Sequence, residues 1–220
     1  MQKVLLIAIA LVAVVLVALI AMLVTWPASG PAAAPVAELG PLEPEVPGYV
    51  VPEFAMVDQD GQPTDQSVLE GEVTVLAFIF TNCPFACPGM TGQMIGLQQR
   101  LDGTGVRLLS ISVDPANDTP EVLRAYADRV GADRANWRFL TGDFEVVQGV
   151  VRDGLDFEIG LDETRMISLP SGGQIANVRH PEHLILVGPD REVLGIYHYT
   201  DAERMRVLAS RARRAADEVY

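Results

Sequence analysis

The run Val73 to Phe80 (V-T-V-L-A-F-I-F) constrains this chain more than any other segment. Its residues are β-branched, aromatic or small, none is charged, and apolar groups fall on both alternating faces. A segment of this kind is stable as a strand covered on both sides, hence inside a sheet flanked by helices. A second run of the same character, Val106 to Val113 (V-R-L-L-S-I-S-V), follows a helix candidate, Met90 to Leu101, which Gly103 and Gly105 close.

The remaining elements fall around these two. Glu53 to Asp58, with the turn Gln59-Asp60-Gly61-Gln62, reads as a strand entering a tight turn. Asp118 or Thr119 caps a helix with Pro120 in its first turn and Gly131 beyond its end. Trp137 to Leu140 is a short strand and Phe144 to Arg152 a short helix. His183 to Val187 and Glu192 to Tyr199 read as paired strands around Gly188-Pro189-Asp190-Arg191, and Ala202 to Val219 as a closing helix. Strands alternating with helices, then a hairpin and a helix, predict an α/β fold with a mostly parallel central sheet, flanking helices and an antiparallel edge. The small architecture that fits is thioredoxin-like.

The chain opens differently. Val4 to Val24 is 21 residues without a charged or polar side chain. At about 1.5 Å per residue this is roughly 30 Å of helix, one hydrocarbon core. It is longer than the apolar region of a cleavable signal, about 7–15 residues, so residues 1–25 are expected to be a transmembrane anchor; Ala28, Ser29 and Ala32 to Ala34 leave cleavage open. Lys3 precedes the run and no Lys or Arg follows until Arg100. This asymmetry predicts a single-pass protein with its N-terminus inside and its domain outside. A bacterial cytoplasmic membrane, with the domain facing the periplasm or cell exterior, is the simplest host. Residues 26–48, with proline at 27, 31, 35, 41, 44 and 47, read as an extended linker. Residues 49–220 are the expected domain.

All 29 acidic residues and 15 of the 16 basic ones lie beyond the apolar run, and the formal charge is −13. That charge argues against nucleic acid and against docking on an anionic lipid surface. A solvated acidic face is the plain reading of it.

The chain has two cysteines, Cys83 and Cys87, immediately after the first buried strand, in Thr81-Asn82-Cys83-Pro84-Phe85-Ala86-Cys87-Pro88. The C-terminal end of a central strand is where α/β sheets carry their sites. Each cysteine precedes a proline, which biases both away from helical angles. The pair is expected on a loop feeding a helix, with Pro88 in the first turn. A thiol near a helix N-terminus has increased thiolate character, which serves both soft-metal binding and disulfide exchange. One bridge over three intervening residues would hardly staple a domain of this size. Two thiolates suit Cu(I), and an added imidazole also accommodates Cu(II); structural zinc ordinarily takes four protein ligands. The candidate third ligands are His180, His183 and His198. Asp118 is read as a helix cap and Asp114 as a turn residue with Pro115. Met90, Met94, Trp137 and Phe139 are read as core.

On these residues the chain resembles the Sco/SenC family over about residues 48 to 215. T-N-C-P-F-A-C-P is similar to that family's cysteine motif, Ser112 to Pro120 (S-V-D-P-A-N-D-T-P) to its stretch with two aspartates, and Leu140-Thr141-Gly142 to a further signature. The family's copper-binding histidine stands eight residues before a G-P-D-type turn. That spacing runs from His180 to Gly188. Arg179, Pro181 and Arg191 differ from the residues usual in the family, and His183 is kept as the alternative. The resemblance implies a thioredoxin-like domain with copper as Cu(I) or Cu(II) held by Cys83, Cys87 and His180. It also implies a metallochaperone role in assembling the binuclear copper centre of cytochrome c oxidase, with the oxidase's copper subunit or another extracytoplasmic copper protein as partner. The alternative is a thiol–disulfide oxidoreductase in which Cys83 and Cys87 are the redox-active, catalytic pair.

Overall fold

The computed structural model describes residues 45–46, 48–169 and 172–219. The expected anchor and nearly all of the expected linker lie outside them. Among the described residues no helix is long and apolar enough to cross a membrane.

Seven strands form one sheet in the order β2-β1-β5-β4-β3-β8-β9. They are β1 (Ala55–Asp58), β2 (Pro63–Asp65), β3 (Thr74–Ile79), β4 (Arg107–Ser112), β5 (Trp137–Thr141), β8 (His183–Val187) and β9 (Val193–His198). Helices α1 (Ala86–Arg100), α2 (Pro120–Val130), α3 (Phe144–Gln148) and α4 (Ala202–Val219) accompany it. A further two-stranded unit, β6 (Gly160–Ser168) with β7 (Gln174–Arg179), stands apart from the main sheet.

β3 is the central strand, and all six of its residues are buried. It pairs in parallel with β4, Val75 facing Leu108 and Phe78 facing Ile111, and antiparallel with β8. Each large apolar side chain sealed here contributes about 1.5–3 kcal/mol, so the strand anchors the segment that leaves it. Trp137 and Phe139 stack with ring centroids 5.0 Å apart, and the Trp137 indole N–H donates to Ser110 Oγ at 3.0 Å. Met90 and Met94 are core residues, as are both of these aromatics.

The structure corrects the sequence reading in several places. The sheet is mixed rather than mostly parallel. Only β3–β4 and β4–β5 run parallel, and antiparallel strands border them on both sides, because the β1–β2 hairpin adds to β5 in reverse. The Phe144 to Arg152 helix breaks into α3 and a π-turn over Gly149–Gly154. α1 starts at Ala86, four residues before Met90. The β6–β7 hairpin has no counterpart in the sequence reading. Most β6 side chains are exposed and only Ile167 is buried, so the apolar alternation that marks a strand is missing there.

Candidate metal centre

β3 delivers the chain to Thr81 at the C-terminal end of the central strand. A turn follows, in which the Cys83 amide donates to Phe80 O at 3.2 Å, and α1 begins at Ala86. Cys83 lies on this turn, as the sequence predicts. Cys87 does not lie on the loop with it: it is the second residue of α1. Pro88 follows in the same first turn, where a missing N–H costs nothing because the first amides of a helix have no partner within it. The preference of pre-proline residues for extended angles is overridden there.

The turn is held from behind by Asp118. Its carboxylate accepts from the Thr81 amide at 3.1 Å, from Thr81 Oγ1 at 2.5 Å and from Ser112 Oγ at 2.6 Å. Asp118 is fully buried, and that burial raises the carboxyl above its ordinary range. The expected cap at this position is therefore a loop tie instead. Thr119 is the N-cap of α2, its hydroxyl accepting from the Val122 amide. Asp114 builds the turn that precedes it, its carbonyl accepting from the Asn117 and Asp118 amides. The pairing of Asp118 with Thr81 spans 37 residues, which no local pattern announces.

The histidine arrives from another part of the chain. β7 ends at Arg179, and His180 begins the short connection to β8. Its ring stands edge-on to Phe80 with centroids 5.7 Å apart. Nε2 lies 3.5 Å from Cys87 Sγ, and Nδ1 is 3.1 Å from Pro181 O. In the tautomer that donates Nδ1–H to that carbonyl, the Nε2 lone pair faces the sulfurs, the form a metal ligand requires.

Cys83 Sγ, Cys87 Sγ and a His180 ring nitrogen all lie within 4.8 Å of one another, the one such group of three potential ligands among the described residues. Both cysteines are free and buried, and the two thiols differ sharply. The Cys87 thiol donates to Cys83, and the His180 ring and the amides of Phe85 and Cys87 add to the effect, so Cys83 is held well below the usual thiol range, at about 4. Cys87 is pushed up, first by that same shared proton and then by its burial and the Cys83 charge. The shared hydrogen bond thus favours one proton held between the two sulfurs. Two sulfurs and one imidazole form a soft, three-coordinate donor set that fits Cu(I) and, with the nitrogen, Cu(II).

His183 and His198 are not brought to the sulfurs. They are register partners across β8 and β9, with ring centroids 5.1 Å apart, and His183 stacks on Phe157. Burial and the neighbouring His198 lower the pKa of His183. All three histidines and Cys83 line one open cleft of about 770 Å³. Phe85, 51% exposed, sits at its mouth with the Arg165 guanidinium 5.4 Å from its ring centroid.

A thioredoxin-like sheet carrying two cysteines and a histidine at the end of its central strand defines a class of thiol-bearing domains equipped for soft metal or redox chemistry. The particular family follows from comparison with known proteins. The SCO1/SenC family model matches residues 43–216, and the chain belongs to that family. It is 38% identical over 152 residues to a SCO1 protein homolog of Bacillus subtilis, which spans 68% of this chain and 74% of the relative. The crystal structure of a SCO1/SenC family lipoprotein from Bacillus anthracis superposes with a TM-score of 0.65 at 29% identity, over 76% of this chain and 95% of that one. BsSco, described as a member of the Sco family of cytochrome c oxidase assembly proteins with a disulfide switch, superposes at 0.64 with 31% identity, over 78% and 96%.

Proposed function

We propose that this protein is a copper-binding chaperone whose Cys83, Cys87 and His180 hold one copper ion and release it to a partner by ligand exchange. The observation that carries the reading is the convergence of two sulfurs and one imidazole nitrogen within 4.8 Å at the end of a fully buried strand. The Cys83 thiol is held low and that of Cys87 high, so the thiolate that copper needs is favoured at Cys83, and Cys87 gives up its proton as the metal binds. Three ligands leave room at the metal for an incoming thiolate or imidazole, and exchange proceeds without the ion entering water. Related proteins are described as cytochrome c oxidase assembly proteins, which supports the binuclear copper centre of an oxidase as recipient. The reading includes a membrane anchor at Val4 to Val24 with the domain outside, on the strength of the apolar run and the basic asymmetry around it.

A second reading rests on the asymmetry of the thiols. A thiolate at Cys83 is a nucleophile at neutral pH, and the protonated Cys87 beside it can resolve a mixed disulfide after losing its proton. This describes a thiol–disulfide oxidoreductase, and a disulfide switch is described for BsSco.

Copper stoichiometry separates the two. The reduced chain is expected to bind one Cu(I) against a competing chelator, and His180→Ala is expected to weaken that binding. If cysteine substitution abolished function while His180→Ala had no effect on copper or on function, the oxidoreductase reading would replace the chaperone reading. A reporter fused after Tyr220 that is active in the cytoplasm would refute the topology.

A further inference from the structure

The cleft that Cys83 lines also carries a second set of donors. His183 and His198 face each other as a cross-strand pair at the ends of β8 and β9, on one face of the sheet, with ring centroids 5.1 Å apart. Glu182 precedes the first of them, and its carboxylate Oε2 is 3.8 Å from His198 Nε2. His198 Nδ1 is 2.8 Å from Thr200 Oγ1 and accepts from the Thr200 amide at 3.4 Å, so Nε2–H faces Glu182; a cation at Nε2 takes the place of that proton, which moves to Nδ1 and donates to Thr200 Oγ1. That is the outer hydrogen bond that fixes a metal-ligating imidazole. His183 is held flat against Phe157, and its Nδ1 is buried with no hydrogen-bond partner. Leaving a buried imidazole nitrogen without a partner is costly, so a structure that keeps one has a reason to be sought.

We infer that His183, His198 and Glu182 form a second cation site, of nitrogen and oxygen donors, for a borderline divalent ion such as Cu²⁺ or Zn²⁺. A cation bonded at about 2.0–2.2 Å to both atoms closes the 3.8 Å gap between His198 and Glu182 with the backbone unmoved. His183 completes the set by turning its ring off the face of Phe157, since the three are not as tightly gathered as Cys83, Cys87 and His180. The donor chemistry divides the two sites. Two thiolates select the soft Cu(I), whereas imidazole and carboxylate favour Cu²⁺ above Zn²⁺ and both above harder ions. The second site opens onto the same cleft as the first, which puts a holding position for a divalent ion beside the thiolates.

The chain has three histidines, and this makes the test clean. In the full chain, without any histidine tag, the combined variant Cys83→Ser, Cys87→Ser, His180→Ala retains only His183 and His198. Titrated with Cu²⁺ alone, it is expected to bind one ion per chain and to give an electron paramagnetic resonance spectrum with coupling to two imidazole nitrogens. Adding His198→Asn is expected to weaken binding at least tenfold and remove one nitrogen coupling. Glu182→Gln is expected to weaken it less, with both couplings kept. No stoichiometric Cu²⁺ in the combined variant, or a residual site indifferent to His198→Asn, overturns the inference. His198 is part-exposed, so its substitution leaves the core intact, and a melting curve for each variant verifies this. Because the primary ligands are absent from every variant, the result is independent of whether Cys83, Cys87 and His180 bind copper.

Discussion

The two halves of the primary site are built in opposite ways. The cysteine turn hangs from β3, the most buried strand of the sheet, and is tied to β4 through Asp118, Thr81 and Ser112. The histidine connection leaves β7, an element of the small hairpin whose sister strand β6 exposes most of its side chains. His180 is fixed by the cysteine half, through Phe80 and Cys87, together with the carbonyl of Pro181 on its own connection. The sulfurs are thus preorganised by the core, and the imidazole is positioned against them. A site with one rigid and one adaptable half can bind a metal tightly through the first and let it go through the second.

The largest effect expected from this difference is at the cysteines. Cys83→Ser or Cys87→Ser should abolish tight Cu(I) binding in chelator competition, because each removes one of two thiolates from a frame that has no substitute. A single variant retaining full affinity would break the comparison at its rigid end. His180→Ala should do less to Cu(I), which two thiolates can hold in linear geometry, and more to Cu(II), which prefers nitrogen and a higher coordination number. Equal losses for both oxidation states would show that the imidazole is as fixed a ligand as the sulfurs. His183→Ala and His198→Ala should leave Cu(I) affinity at the primary site unchanged.

Alkylation reads the same asymmetry without metal. A lowered thiol pKa means that thiolate persists as the pH falls, so Cys83 should react with iodoacetamide almost as fast at pH 6 as at pH 8. An ordinary thiol with a pKa near 8.5 would slow roughly a hundredfold over that span. Cys87, shifted upward, should remain unmodified throughout. Cys87→Ala removes the group that donates to Cys83 and should move the Cys83 profile toward higher pH. A Cys83 rate that fell in proportion to hydroxide from pH 8 to pH 6 would contradict the shared-proton arrangement.

Stability tests the two supports. Asp118→Ala leaves the Thr81 amide and hydroxyl and the Ser112 hydroxyl without their acceptor, at about 1–3 kcal/mol for each buried group left bare, and should lower the urea midpoint markedly. Asp118→Asn keeps an acceptor oxygen and should cost less. Because the folded pKa of Asp118 is raised, its linkage favours the fold at low pH and is lost as pH rises through the folded value. The Asn variant should therefore lose the least stability at neutral pH, where the charged form is most penalised. Excising residues 161–178 and rejoining the ends with a short glycine–serine link should lower the melting temperature without unfolding the domain, since it removes the buried Ile167 and Val178 but leaves the seven-stranded sheet whole. It should nonetheless abolish the difference between the His180→Ala variant and its parent in Cu(II) binding. A collapse of the fold on that excision would show that the hairpin is a support of the domain and not only of the histidine.

The cysteine half was legible in the sequence because its causes are local. A continuous apolar strand, two thiols at its end and prolines that mark the helix start are all contiguous from Val73 to Pro88. The alternation of buried strands and helices likewise determined the α/β class, and spacing within a recognised motif singled out His180 from three histidines. Only the tertiary structure decided the rest. Whether a strand joins its neighbour parallel or antiparallel depends on where the chain returns, which is why β1 and β2 made the sheet mixed. The β6–β7 hairpin was silent because β6 is mostly exposed and the inward residues of β7 are consecutive and not alternating. Asp118 looked like a cap because capping is the local use of that residue before Pro120, and it became a tie only because β3 and β4 lie side by side, bringing Thr81 within 2.5 Å of its carboxylate. Sequence records what each residue can do with its chain neighbours; the distance from Cys87 to His180, 93 residues away along the chain and 3.5 Å away in space, is set by the packing of elements that no short window contains.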